Sequence, residues 1–485
     1  MSLDPIVLSF DRLVRRAPLA TLVASPDRSA TVEEVDALAR AARRALDGAP
    51  WPPGTAVGLA AANGPGFLAS LLALRRAGLT AVLLDGQTPA SEALRILGAL
   101  GAAALLRCPA AWPAGPGDWT LTSLETPAAT LPGSPEIAVL KLTSGSTGLP
   151  RGIATPAEAL LADDANLTAT MGLRPDDRLL AAIPLSHSYG LSSLVMPALL
   201  RGTPLVLPAA ASLCDPLIAA ERLGATVFPT VPAFLDALLR LSEPPRRPAA
   251  LRLVLTAGAL LGAATAARFR EAFGLPVHVF YGASECGGIC YDRTGDAAER
   301  GTVGTPVDGV QVVLEPVEPS DRSHPSDPSA SSLHEPGVVT VRSAAVAAGY
   351  RPDPDPRLTE GRFVGGDLAA WQNGELALRA RLDDLINIKG KKVNPREVEE
   401  VLGALPGVDE VAVLGVPVPG RCGDRLRAVI ACAPGRLRTD QVLAWSREHL
   451  APHKVPRSVL LVPALPRTPR GKLDRQALLE LRGDG

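Results

Sequence analysis

Residues Leu142–Gly152 read LTSGSTGLPRG, with two serines, two threonines and three glycines ahead of or around Pro150 and Arg151. Such a run cannot build a hydrophobic core. It follows the apolar run IAVLKL and precedes the helix-like TPAEALLADDANLTATM. A Gly/Ser/Thr loop leaving a strand offers amides and hydroxyls to an anion, most often a phosphate. Its glycines permit close backbone approach, and Arg151 adds a positive charge. The pattern G-x-x-x-x-G-K-[ST] is absent, which excludes an ordinary P-loop. Taken alone, the same residues also read as a linker.

Three further stretches carry chemistry. FYGASECGG (Phe280–Gly288) places Glu285, a hard oxygen donor suited to Mg²⁺, after an apolar run. FVGGDLA places Asp367 behind a glycine pair, where a carboxylate can accept both hydroxyls of a ribose. PRTPRGKLDR puts Lys472 behind a glycine in a polar loop, where one ammonium suits a developing negative charge. His187, in PLSHSYG, is by itself readable as a packed core histidine.

The elements that must hold these residues follow from periodicity. AVGLAA, AVLLD, IAVLKL, LLAAIP, PLVLP, ATVFP, LRLVLTAG and PVHVFYG read as buried strands, with helix-period segments such as ATAARFREAF and DPLIAAERLG between them. That alternation predicts an α/β fold of mainly parallel, helix-covered sheets, with ligand loops at the carboxyl ends of strands. After NGELALRARLDDLINIKGKKVNPREVEEVL the pattern becomes that of a small α+β unit. We expect a large domain over residues 1–380 and a small one over 381–485, with the boundary near Arg381–Asp384. Glu315–Gly337, rich in Pro, Ser and Asp, reads as a surface loop in which His324 and His334 are solvated.

Composition narrows the function class. At 485 residues the chain calls for two or more domains, and 47% hydrophobic residues suffice for a core. A net charge of −1 gives no electrostatic case for nucleic acid. The N-terminus lacks a long apolar run, and no segment is apolar enough to span a membrane, so a soluble cytoplasmic protein is expected. Six cysteines in so long a chain make no disulfide framework, and Cys286 and Cys290 of CGGIC read as buried or half-buried thiols. The acidic pairs Asp163/Asp164 and Glu399/Glu400 read as solvated helix faces, and His278 as structural. Self-association is left open.

The phosphate-type loop, YGASE, GGD, RARLDDLINIKG and PRTPRGKLDR, in that order and across nearly the whole chain, resemble the adenylate-forming superfamily. That family comprises acyl- and aryl-CoA synthetases, adenylation domains of peptide synthetases, and luciferases. The resemblance implies that a carboxylate attacks the α-phosphate of ATP, giving acyl-adenylate and pyrophosphate, after which a thiol takes the acyl group and AMP leaves. By the same resemblance Thr143, Ser144, Gly145, Ser146, Thr147, Gly148 and Arg151 cradle the β,γ-phosphates. Gly258 and Ala259 of TAGALL form the adenine-pocket turn, Tyr281 faces adenine beside Gly282, and Ser284 touches the α-phosphate. Glu285 is the Mg²⁺ ligand, Asp367 and Arg381 the ribose contacts, and His187 the gate near the reacting carboxylate. Lys472 bridges carboxylate and α-phosphate. Asp383 is the hinge about which the small domain swings, withdrawing Lys472 and presenting INIKGKKVNPRE, with Gly390 beside the pantetheine arm. Lys389, Lys391 and Lys392 either meet acceptor phosphates or form a solvated basic turn.

The sequence departs from the family pattern in four places. Arg151 stands for the usual Lys, Gly365 for a Thr, Ala380 for a Gly and Ser284 for the commoner Thr; none removes a required charge. The stretch SHSYGLSSL lacks the aspartate by which amino-acid-activating relatives hold an α-amine. The candidate pocket stretches FPTVPAFL, TAGALL and FYGAS are apolar with small residues and suit an aryl or medium-chain acyl carboxylate. No carrier-type attachment motif is present, so the thiol is expected on CoA or on the phosphopantetheine of a separate carrier protein. Three alternatives stay open: adenylation coupled to another outcome, such as lactone closure or oxidation; a silent nucleotide-binding protein; and a serine hydrolase. GASEC departs from the G-x-S-x-G elbow that the last of these needs.

Overall fold

The computed structural model describes residues 4–49, 51–124, 136–143, 151–209, 212–243, 245–316, 336–382, 386–388, 391–393, 395–417, 424–450, 454–468 and 473–481. Its contacts divide the chain into two compact units. The first comprises residues 1–313, 340–365 and 372–376, and the second residues 314–339, 366–371 and 377–485.

The first unit is built on two large sheets. In the nine-stranded sheet, Thr21–Ser25, Leu205–Val206, Leu179–Leu180, Val227–Thr230, Leu253–Thr256 and Val277–Ala283 run parallel. Antiparallel strands Arg28–Thr31 on one side and Gly287–Tyr291 and Thr305–Pro306 on the other complete it. The seven-stranded sheet has a parallel centre of Ile137–Leu142, Thr80–Asp85, Ala56–Ala61 and Ala104–Cys108. Gly152–Pro156 pairs antiparallel with Ile137–Leu142, and Gly349–Arg351 with Gly152–Pro156. Continuous apolar runs form the central strands because helices cover both faces, so nothing selects for alternation. Ala56–Ala61 is buried along its whole length.

The second unit contains the sheet Glu410–Pro417, Asp424–Ala431 and Ser458–Val462, and the hairpin Ile386–Ile388/Lys391–Val393. Helices Pro395–Gly403 and Thr439–His449 supply Val398, Leu402 and Val442 to a core shared with Val413, Leu426 and Ile430. Thus an α/β fold of mainly parallel sheets is followed by a small α+β unit, as the sequence implies. Among the described residues no helix is long and apolar enough to cross a membrane. Residues 317–335 of the expected surface loop, His324 and His334 with them, lie outside the described residues.

Two expectations are corrected. Glu399, expected on a solvated helix face, is half-buried and accepts from the Val413 amide at 2.8 Å. Asp163 and Asp164, on the helix Ala157–Met171, are buried, with 4% and 5% of their surface exposed. The Gly288 amide donates to Asp163 Oδ1 at 3.0 Å, and Ser192 also bonds this carboxylate. Asp164 pairs with Arg201. These partners lie far along the chain, so a local charge pair that looks solvated is in fact internal.

Candidate active site

The candidate residues of the first unit gather where strand ends of its two sheets meet loops. Thr143 follows Ile137–Leu142, and its amide donates to the Arg151 carbonyl at 3.0 Å. That bond and the Leu142–Gly152 pairing close the base of the glycine-rich loop. Ser144, Gly145, Ser146, Thr147 and Gly148 lie outside the described residues, as do Lys472, Asp383 and Gly390.

Arg151 sits at the loop's exit with its guanidinium 3.8 Å from the ring centroid of Tyr350. Its Nη1 lies 3.3 Å from Asp355 Oδ2, and Nη2 donates to the Asp353 carbonyl at 3.2 Å. Hydrogen bonds from Arg357, joined by Arg151, hold the Asp355 carboxyl below the usual carboxylate range. The Tyr350 hydroxyl in turn donates to Glu285 Oε1 at 2.9 Å. One aromatic ring therefore joins the loop's cation to the carboxylate expected to hold a metal. The backbone explains how it gets there. Gly349–Arg351 pairs with Gly152–Ala154, while the Ala347 amide donates to the Glu285 carbonyl at 2.8 Å. The segment around Tyr350 thus bridges strand ends of both sheets.

Tyr281 and Gly282 end the strand Val277–Ala283, and Ser284 and Glu285 form the turn into Gly287–Tyr291. Gly287 has φ +70°, and a Cβ there would lie 2.2 Å from Asp163 Oδ1, so only glycine permits this turn to seat on the buried carboxylate. Gly258 and Ala259 are exposed beyond Leu253–Thr256; Gly258 has φ +84° and open space where a Cβ would stand. The strand order sets the Gly258 turn beside the turn holding Tyr281 to Glu285.

His187 precedes the short helical segment Ser188–Gly190 and the π-helix Leu191–Val195. Its Nε2 lies 3.8 Å from Asp85 Oδ2, and both side chains are about one-third exposed (32% and 31%). Asn63 fixes this loop, donating to the Ile183 carbonyl at 3.1 Å and accepting from the Leu185 amide at 3.0 Å. Ser188 Oγ donates to Ser284 Oγ at 2.7 Å, so the His187 loop and the Glu285 turn meet. Tyr189 donates to the Leu255 carbonyl at 3.3 Å, and burial raises its phenol above the ordinary value. Cys286 and Cys290 are buried thiols, and His278 is half-buried and bonded to the Asp292 carbonyl at 2.7 Å.

Behind this surface lies a buried polar group. Lys141, the charged residue inside IAVLKL, is 4% exposed and within electrostatic reach of Asp163 and Glu285. Burial pulls its ammonium below the ordinary value and pushes the Asp163 carboxyl above its own, each partly offset by the other's charge. Asp163 thereby ties the strand leading to the glycine-rich loop, the turn after Glu285 and the π-helix after His187. Asp163→Ala leaves the Gly288 amide without its acceptor and the buried Lys141 without a nearby counter-charge. It should destabilise the fold by about 3 kcal/mol, read as a lowered urea midpoint at unchanged slope. A loss under about 0.5 kcal/mol, the range of an ordinary surface change, would show that the carboxylate holds nothing.

In the second unit, Asp367 on Arg362–Gln372 and Arg381 at the end of Glu375–Arg381 face each other, with Nε 3.3 Å from Oδ1. Tyr350, Asp355, Lys141, Asp163, Asp85 and Asn63 are absent from the sequence-level candidates. Of these Lys141 had a readable signal, a lone lysine in an otherwise apolar strand.

Comparison with known proteins adds to this geometry. A family model described as AMP-binding enzyme matches residues 10–351, and the AMP-binding enzyme C-terminal domain matches residues 397–472. A feruloyl-CoA synthase from Amycolatopsis is 32% identical over 490 residues, covering 95% of this chain and 96% of that protein. An amide bond synthetase from Marinactinospora thermotolerans, solved as a structure, has a TM-score of 0.78 and 27% identity, with 98% and 99% of the two chains covered. O-succinylbenzoate coenzyme A synthetase from Bacillus subtilis, solved with ATP and magnesium ion, shares the fold at TM-score 0.77 and 23% identity, covering 97% and 98%.

Proposed function

The chain belongs to the AMP-binding enzyme family, and from that premise we propose that it is an AMP-forming acid–thiol ligase. It activates an aryl or medium-chain carboxylic acid with ATP and passes the acyl group to the thiol of CoA. The observation that carries this reading is the Arg151–Tyr350–Glu285 array at the exit of the glycine-rich loop. It puts a cation and a hard carboxylate, joined by one ring, beside the loop that this reading assigns to the triphosphate. The feruloyl-CoA synthase likeness supports CoA as acceptor.

Each residue then has a task. Thr143 to Gly148 present amides and hydroxyls to the β- and γ-phosphates, and Arg151 exchanges part of its hold on Asp355 for phosphate oxygen. Glu285 would hold Mg²⁺ through a hard carboxylate oxygen, its side chain fixed by the Tyr350 hydroxyl. The ion would supply charge neutralisation across the triphosphate. Tyr281, Gly282, Gly258 and Ala259 bound the adenine position, Ser284 reaches the α-phosphate, and Asp367 with Arg381 holds the ribose. His187 lines the approach of the acid. Both reactants of the first step are anions, so Lys472 and Arg151 act where charge accumulates, and holding carboxylate against phosphorus supplies orientation. Residues 381–485 swing about Asp383 between the two steps, withdrawing Lys472 and bringing Gly390 to the pantetheine arm.

The experiment is pyrophosphate release across a panel of carboxylic acids, with and without CoA. Release that depends on the acid, with acyl-CoA formed when CoA is present, is expected. Release that ignores CoA while acyl-adenylate accumulates would assign the second step to a carrier-protein thiol or another acceptor. No acid-dependent release would refute acid activation.

A further inference from the structure

We propose that Asp355 is a positioning residue that competes with the polyphosphate for Arg151, and so lowers the affinity for ATP and pyrophosphate; this deepens the acid-activating reading above and rests on it. The Arg151 guanidinium lies over the Tyr350 ring, 3.8 Å from its centroid. A ring face attracts a cation without consuming its directed N–H donors. The donors that are engaged make long bonds: Nη1 reaches Asp355 Oδ2 at 3.3 Å, and Nη2 the Asp353 carbonyl at 3.2 Å. Nε is buried and has no hydrogen-bond partner among the described residues. Arg151 is therefore kept in place by a ring and two long bonds, with donating capacity in reserve.

Asp355 is equipped to let this cation go. Arg357 Nη2 donates to its Oδ2 at 2.9 Å, Arg357 Nε lies 3.3 and 3.2 Å from its two oxygens, and the Arg357 amide donates to Oδ1 at 2.9 Å. Arg151 adds one long bond to a carboxylate whose charge is already matched. The turn is fixed independently, since the Leu358 amide donates to the Asp355 carbonyl at 3.0 Å and Leu358 pairs with Phe363. Breaking an ion pair is heavily unfavourable when it strands one charge in the interior. Here Arg357 stays behind, so the exchange is nearly balanced. A triphosphate draws Arg151 off Asp355, and Asp355 takes it back as pyrophosphate departs. A lysine, with all its donors on one nitrogen, could not span carboxylate, carbonyl and phosphate from one place above the ring. The arginine at this position thus has a use that its charge alone does not explain.

The test is calorimetry on the full chain with pyrophosphate, ATP and AMP in turn, with magnesium and without acid. Asp355→Asn should tighten pyrophosphate and ATP by about fivefold, the upper end for one partly exposed ion pair. AMP, which lacks the β- and γ-phosphates, should stay within about twofold. Arg357→Gln, at a half-exposed side chain, should weaken pyrophosphate, because Asp355 then leans on Arg151. Both effects should vanish in an Arg151→Gln background, whereas a general change of surface charge would persist there. Inhibition of turnover by added pyrophosphate should move in the same directions. Unchanged or weaker pyrophosphate binding in Asp355→Asn, an equal gain for AMP, or effects that survive in Arg151→Gln would overturn the proposal. Should Asp355→Asn fail to fold, Arg357→Gln with and without Arg151 decides it. Wild-type protein that binds neither ATP nor pyrophosphate would sink the acid-activating reading and this role with it; binding of both without the expected shifts would sink only the role of Asp355.

Discussion

Lys472→Ala should slow adenylate formation on the order of 10²-fold or more, as loss of a single preorganised transition-state contact does. It should leave thioester formation from supplied acyl-AMP near the wild-type rate. The asymmetry follows from the swing proposed about Asp383. In that proposal Lys472 offsets charge while the carboxylate attacks phosphorus, and is withdrawn when the thiol attacks the acyl carbon. The two half-reactions can be followed separately, by pyrophosphate release with the acid and ATP, and by acyl-CoA appearance from synthetic acyl-adenylate. Equal losses in both would contradict the swing.

Glu285→Ala should cost about 10³-fold in the first half-reaction, comparable to removing a principal electrostatic contact in a dry site. The carboxylate is not isolated, because the Tyr350 hydroxyl donates to it at 2.9 Å and Tyr350 also carries Arg151 on its ring. Removing Glu285 therefore strips the expected metal ligand and frees the ring that positions the loop's cation. The magnesium dependence of ATP binding, read by calorimetry, should flatten in the variant. A variant that still binds ATP more tightly with rising magnesium, and turns over within about tenfold of wild type, would move the metal to other residues; a metal held elsewhere would keep its share of the stabilisation.

The strands were legible because fully buried parallel strands leave an unmistakable mark, an unbroken apolar run ended by glycine or a polar loop. IAVLKL and AVGLAA form strands over their whole lengths. LLAAIP and PLVLP pair over two residues each, Leu179–Leu180 and Leu205–Val206, because apolar character reports burial and not ladder length. That Thr143, Arg151, Ser284 and Glu285 stand in loops at strand ends was legible from the sequence. Tyr350 was not, since its significance depends on pairing with Gly152–Ala154, some 200 residues earlier. Asp163 and Asp164 were misread for a related reason: a charge pair on a helix looks solvated until its distant partners, the Gly288 amide and Arg201, are known. Local pattern fixes elements and loops; the residues that bind loops to each other emerge only from the tertiary fold.

The most direct measurement follows one oxygen atom. An accepted acid labelled with ¹⁸O in its carboxylate is turned over with ATP and CoA, and the products are weighed by mass spectrometry. Attack of the carboxylate on the α-phosphorus should yield AMP bearing a single ¹⁸O, together with unlabelled pyrophosphate. Formation of ADP, or label in orthophosphate with none in AMP, would show that the nucleotide is cut elsewhere and that this site performs a different reaction.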